Sequence, residues 1–296
     1  MIRSVTNIYD ITAPPIRANY WMACDPATQG CYLDDPYEGE LFAVFIYLYS
    51  QWNNQTERDM IWVQKRAMLQ AANFTTANGQ TITVQKGFWF SSHEQWKYLE
   101  LPYQSASAVN NRVFRNGERA RTAYSNIQGI AGMHASVTDV VTVPGELPSS
   151  YISATGIQEI AFQQITDNQI VTPYAAFPTM LADLPVGLAW YLQMLQGPKM
   201  QNPFGSTESI SVDASAISPV LTWDSKITSL CAMLGGVSNL VERGMMRDRV
   251  LSQFSSVIDR EWLRVFPVLR GQDQPIESPQ HAFPSSQLGS FSSCLQ

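Results

Sequence analysis

The sequence predicts a mainly α-helical chain built of helical hairpins, and three observations carry that prediction. A capping signal, Asp35-Pro36-Tyr37-Glu38, leads into the wholly apolar run Leu41 to Tyr49. The next segment, Glu57 to Ala72, sets Met60, Val63, Ala67 and Ala71 on one stripe at helical spacing. Strand signals are confined to pieces of four or so residues.

Asp35 is the expected N-cap of the first helix, with Pro36 at its first position and Glu38 reaching back. Because residues 41–49 are apolar on every side, this helix must be enclosed by protein. The 57–72 segment keeps Arg58, Asp59, Lys65 and Arg66 off its stripe and is expected as an outer, amphipathic helix. Asn78-Gly79 before Thr81-Ile82-Thr83-Val84 predicts a small hairpin, and Val140 to Val143 a further short strand. Helices are expected over 116–125, over 178–196 with Gly197-Pro198 as the stop, over 225–234, and over 239–264 with a break at Gly244. Beyond Gly271 the apolar periodicity is lost, so one domain over 1–270 is expected to carry a loosely held tail over 271–296.

Composition bounds the function. With 296 residues, 45% of them hydrophobic, the chain has ample surface to bury, which excludes disorder and a disulfide miniprotein. A formal charge of −6 argues against a grip on nucleic acid phosphates or an anionic membrane, and charged residues make up only 15%. The polar remainder suits a neutral ligand. No apolar run approaches the ~20 residues of a membrane span, and the first 24 residues hold no signal core. Cys24 and Cys31 flank a Pro- and Gly-containing loop that a disulfide would close in an oxidising compartment. Together with the sequons at Asn54 and Asn73, that pair favours secretion. No zinc spacing, phosphate-binding glycine loop, EF-hand or nucleophile elbow is present, so neither metal nor organic cofactor is expected.

Several stretches resemble, in order, the glucoamylase-like domain of bacterial and fungal β-1,2-glucanases. They are Gly39-Glu40 with the apolar run behind it; Trp89-Phe90-Ser91-Ser92-His93-Glu94-Gln95-Trp96; Asn110-Asn111 to Arg119-Ala120; Gly129 to Asp139; and Val171 to Pro178. The series continues through Gly197-Pro198, Pro203-Phe204-Gly205-Ser206-Thr207-Glu208, Ser218-Pro219 and Asp224. Two departures stand out: Ala131-Gly132 replaces the family's Trp-Gly, and Thr222-Trp223-Asp224 its Gly-Ile-Asp. The resemblance spans about residues 38–236 and implies an (α/α)6 toroid whose inner helices surround a carbohydrate cleft. Twelve helices of about 11–12 residues need more length than this chain has, so the first hairpins of the toroid are expected to be missing.

Glycoside hydrolysis needs one protonated carboxyl group to donate to the leaving oxygen and a second carboxylate to activate water or attack carbon. Glu40, among Ala43, Val44 and Tyr47, is the expected general acid, and Asp224 the expected base of an inverting reaction. The other reading of Glu40 is an acid favoured by a helix N-terminus, and of Asp224 an N-cap. Asp139 and Glu208 are reserve acids expected to touch substrate; otherwise they are a turn-stabilising Asp and a solvated Glu. Trp89, His93, Glu94 and Trp96 form an aromatic and polar group suited to sugar rings, with Trp223 as a further aromatic. The resemblance places Tyr174 at the cleft; the other reading is core packing. Arg112, Arg115, Arg119 and Arg121 read as a solvated helix face with Glu118 as partner. The function expected is hydrolysis of a neutral oligo- or polysaccharide by a monomer, the β-1,2 linkage being the one implied by the resemblance. A noncatalytic glycan-binding relative, and a hydrolase or transferase of another glycoside, are the alternatives.

Overall fold

The computed structural model describes residues 9–10, 17–18, 40–52, 54–66, 69–87, 90–143, 145–286 and 288. Asp35, Pro36, Glu38, Cys24, Cys31 and Trp89 lie outside them, as does the side chain of His93. Tyr9–Asp10 (β1) and Arg17–Ala18 (β2) form one short antiparallel pair.

From Glu40 onward, most of the regular structure is helical. Helix α1 (Glu40–Tyr49) buries Ala43, Val44, Ile46, Tyr47 and Leu48 and turns Leu41 outward, so the expected inner helix is enclosed on most of its surface. Helix α2 (Gln55–Lys65) ends well short of residue 72 and faces the core with Ile61 and Trp62, while Val63 is 61% exposed. That corrects the expected stripe. Isoleucine and tryptophan remove far more apolar area from water than the alanines counted in it, and burial follows area. Ala71 instead begins β3 (Ala71–Thr75), which pairs with β4 (Thr81–Gln85) across the expected Asn78-Gly79 turn, where Gly79 takes φ +79°.

Trp96–Glu100 (α3) and Tyr103–Ala106 (α4) lead into α5 (Ala108–Ile127), which is longer than expected and N-capped by Ser107, whose side chain accepts from the Asn110 amide at 3.1 Å. Val140–Val143 forms no strand; Val137–Thr138 (β5) pairs with Tyr151–Ile152 (β6), and Val141 only bridges Ile217. The expected helix over 178–196 is two helices, α6 (Phe177–Ala182) and α7 (Leu184–Leu195). Extended Asp183 caps the second by accepting from the Val186 amide, and Pro185 restarts it. The two fold back so closely that a Cβ on Gly187 would stand 2.3 Å from the Met180 nitrogen. Ile170–Val171 (β7) pairs with Ile210–Ser211 (β10), and Gln201–Asn202 (β8) with Gly205–Ser206 (β9). Trp223–Met233 (α8), Ser238–Arg247 (α9) and Leu251–Val265 (α10) complete the helices. Gly244 lies inside α9; the break comes at residues 248–250, where Arg249 takes φ +60°.

Helix α5 is the axle. Helices α4, α6 and α10 and strand β4 all pack against it. One apolar core joins α1 and α2 to α10 through Ile46, Trp62, Tyr103, Phe114, Phe254 and Trp262. A second gathers Met133, Tyr174, Phe177, Met180, Trp190 and Met194 with Ala232 of α8. Residues 272–286 have no regular structure, yet they form a strap rather than a loose tail. Arg119 donates to the Gln274 carbonyl, Glu277 N donates to Thr122 Oγ1 at 3.1 Å, and Trp190 Nε1 donates to the Glu277 carbonyl at 2.7 Å. Covered on this side as well, α5 has no solvated arginine face: Arg119 and Arg121 are buried, and only Arg112 is exposed.

Candidate active site

Beside the second core, the structure assembles polar groups around Glu208. The β7–β10 pairing lays Thr172 against Glu208, and Thr172 Oγ1 donates to the Glu208 carbonyl at 2.6 Å. On the other side Glu208 N donates to the Val220 carbonyl at 3.1 Å. The peptide is thus held from both edges, as a site on a rigid element must be. Its side chain is 4% exposed. Thr222 Oγ1 donates to Oε2, and Ser225 Oγ to Oε1 at 3.3 Å. Thr222 and Ser225 can reach one carboxyl group together because residues three apart at a helix start share a face.

Burial holds the Glu208 pKa above the ordinary carboxyl value, partly offset by the hydroxyls of Thr222 and Ser225; the Asp224 charge raises it further and Lys226 lowers it. Uncharged donors relieve the desolvation without bringing a full counter-charge, so the proton is retained more strongly than on an exposed glutamate. Asp224, in the first turn of α8, is exposed. It does not cap the helix; the N-cap position belongs to Thr222. Trp223, between them, is 78% exposed. Two carboxyl groups in unlike environments, under an exposed indole, can divide the acid and base tasks between them.

The floor is aromatic. Trp96 Nε1 donates to the Tyr174 hydroxyl at 2.6 Å, and both rings pack on Phe177, with centroids 5.8 and 5.4 Å away. Burial, before all else, raises the Tyr174 pKa, and the charges of Tyr151 and Asp224 add to it, so Tyr174 serves as a neutral hydroxyl. Tyr151 comes from a rim loop: Ser209 Oγ donates to the Thr138 carbonyl at 2.9 Å, and Thr138 pairs with Tyr151. Asp139 locks that rim. Its Oδ2 accepts from the amides and hydroxyls of both Ser149 and Ser150, which hold its pKa below the usual range. These contacts are those of a turn-stabilising aspartate.

The structure therefore brings Trp96, Tyr174, Glu208, Trp223 and Asp224 together, with Asp139 bracing the edge. Glu94 spends its carboxylate on the Phe90 and Ser91 amides, at 2.9 and 3.1 Å, fixing the turn that carries Ser92 toward Tyr174. Glu40 lies in the first core: both its oxygens accept from the Arg66 guanidinium, Tyr103 donates to it as well, and Arg66 stacks between Trp62 and Trp262 at 4.8 Å from each. It neutralises a buried cation. Sequence reasoning did not single out Thr222, Ser225, Lys226 or Tyr151; a legible signal was the three-residue spacing of Thr222 and Ser225 around Asp224. Among the described residues no group of three or more His, Cys, Asp or Glu gathers as a metal set, and no helix is long and apolar enough to cross a membrane.

Comparison with known proteins agrees with the order of motifs in the sequence. No curated protein sequence matches the chain. Two solved structures do, each with a TM-score of 0.88 and 38% identity over 98% of this chain: an endo-β-1,2-glucanase from Talaromyces funiculosus in complex with sophorose, and a glutamate-to-glutamine mutant of an endo-β-1,2-glucanase from that organism with β-1,2-glucan. The chain spans 61% of the length of those enzymes. The family model described as endo-β-1,2-glucanase SGL matches residues 1–295, and with it the chain belongs to the endo-β-1,2-glucanase SGL family.

Proposed function

We propose that this chain hydrolyses internal linkages of β-1,2-glucan, with Glu208 as general acid and Asp224 as the base that activates water, on a helical scaffold of the (α/α)6 type. The observation that carries the acid assignment is the Glu208 setting: a carboxyl group 4% exposed, hydrogen-bonded by two hydroxyls, beside the exposed Asp224 and Trp223. Glu208 is set ahead of Glu40 in this reading because both Glu40 oxygens accept from the buried Arg66 guanidinium; Glu40 with Asp224 is the alternative acid–base pair, and a Glu40→Gln protein that keeps its Tm but loses turnover would favour it. Trp223 offers a face for a glucosyl ring, and the neutral Tyr174 hydroxyl offers a hydrogen-bond partner to sugar hydroxyls. Membership of the family supports the substrate.

The test is release of reducing ends from linear β-1,2-glucan, set beside β-1,3-, β-1,4-, β-1,6- and α-linked glucans, with the product anomer followed by NMR before mutarotation. Activity confined to the β-1,2 polymer with an inverted anomer is expected. Equal activity on another linkage would change the substrate, and a retained anomer would remove Asp224 from the role of base.

A further inference from the structure

The sequon Asn73-Phe74-Thr75 has no part in the proposed chemistry, and the structure sets it in the middle of β3. Strand alternation puts Asn73 and Thr75 on one exposed face and sends Phe74 the other way, into a core with Ile82, Val84 and Ala120. Because the buried ring of Phe74 fixes which face is which, the amide and the hydroxyl of the motif are both presented to solvent. Thr83, directly opposite, donates from Oγ1 to Asn73 Oδ1 at 3.2 Å, which orients the Asn73 side chain through its oxygen. The two edges of this sheet are finished differently. On the outer edge of β4 the Thr83 amide donates to the Arg270 carbonyl at 3.1 Å, and the Thr83 carbonyl accepts from Asn116 Nδ2 at 2.8 Å. The outer edge of β3 takes no such backbone hydrogen bond among the described residues. An open edge is a template for pairing with another chain, and proteins blunt it with charge or proline; β3, Ala-Ala-Asn-Phe-Thr, holds neither.

We propose that Asn73 carries an N-linked oligosaccharide and that this glycan guards the open edge of β3. The modifying step joins Asn73 Nδ2 to the anomeric carbon of a sugar held on a polyprenyl diphosphate. The C–N bond forms, the C–O bond to the diphosphate breaks, the diphosphate leaves with the electron pair, and a proton passes from Nδ2 to the transferring enzyme. Thr75 supplies the hydroxyl that such an enzyme reads. Donor and enzyme belong to the secretory route, which the paired sequons favour. A bulky, neutral, hydrated group at the centre of a five-residue strand keeps an incoming strand from docking beside it. The second sequon, Asn54-Gln55-Thr56, runs into the first turn of α2, where the Arg58 amide donates to the Asn54 carbonyl at 3.3 Å, and it lies on no sheet edge.

The test is the full chain secreted from yeast behind the host's own leader. Peptide mass spectrometry, after an amide-cleaving glycosidase has acted in heavy-oxygen water, is expected to find Asn73 converted to aspartate bearing the heavy oxygen. Thr75→Ser should keep the modification, and Thr75→Ala and Asn73→Gln should lose it. A secreted protein in which Asn73 is bare would overturn the proposal. The guarding role is read by light scattering at matched concentration. Asn73→Gln and Thr75→Ala, both bare and uncharged at the edge, are expected to associate severalfold faster than the glycosylated wild type with Tm unchanged, and Asn73→Lys, which places a charge there, to stay dispersed. Association no faster in the bare variants would overturn that role. No residue of β3 belongs to the candidate active site, so turnover of β-1,2-glucan per folded molecule is expected to be the same in every variant, and the outcome does not depend on the hydrolase reading.

Discussion

Arg66→Met separates structure from chemistry at Glu40. The Arg66 and Glu40 side chains are 1% and 2% exposed, and the pair is closed by Tyr103. Removing the guanidinium takes from a buried carboxylate the cation that holds both its oxygens, a loss of ~3–5 kcal/mol. Loss of the stacking between Trp62 and Trp262 adds ~0.5–2 kcal/mol per ring. For a chain of this size, with ~2–4 °C of Tm per kcal/mol, thermal unfolding followed by circular dichroism should fall by roughly 10 °C or more. Glu40→Gln should fall in the same direction while retaining turnover per folded molecule, and Glu40→Gln/Arg66→Met should recover part of the loss, because no unpaired charge remains. An Arg66→Met Tm within about 2 °C of wild type would refute the reasoning. So would a Glu40→Gln protein of unchanged Tm that no longer hydrolyses glucan, since that is the behaviour of a proton donor.

The same contacts imply three further outcomes. His134, buried with Nδ1 2.8 Å from the Ile170 carbonyl, has its pKa lowered by desolvation to about 4. The native state resists the proton that an unfolded imidazole takes up near pH 6.5, so about 3 kcal/mol of stability present above pH 6.5 should drain away between about pH 6.5 and 4; urea melts of His134→Gln should show a flatter acid limb, and an unchanged slope would count against it. Trp223→Ala should leave stability within ~0.5 kcal/mol, because the ring is exposed, yet raise KM on glucan by about fivefold through lost stacking. Asp139→Ala should release the Ser149 and Ser150 amides, seen as faster hydrogen exchange confined to that rim.

Much of the scaffold was legible, and the misreadings have physical causes. The enclosed helix around Val44 and Ile46 announced itself because a run apolar on every side has no face to offer water. The hairpin at Asn78-Gly79 was legible because its turn chemistry is local. The helix over 57–72 was drawn too long because small alanines kept the period going after Lys65, where pairing with β4 outweighed it. The helix over 178–196 hid its break because Asp183-Leu184-Pro185 serves as an N-cap only if the chain there is extended, which packing against Met180 decides. Arg119 reads as solvated because the strap that covers it comes from about 155 residues later, and Arg121 because the Ala175 carbonyl that helps bury it lies 54 residues away, both beyond the reach of any periodicity. The site divided along the same line. The ordered motifs draw Asp224, Trp223 and Tyr174 into one region, whereas the partners that Glu40 and Glu208 take are not legible in the sequence. A buried acid facing Arg66 and one facing Thr222 and Ser225 read alike until the fold supplies the neighbour.

The most direct test of the account compares leaving groups. Glu208→Gln should lose about 10²–10⁴-fold in kcat on β-1,2-glucan, whose departing sugar oxygen needs a proton, while losing little on a dinitrophenyl β-sophoroside, whose leaving group departs unaided. Equal losses on both substrates, or undiminished turnover of the glucan, would show that the proton comes from elsewhere and contradict the assignment of Glu208.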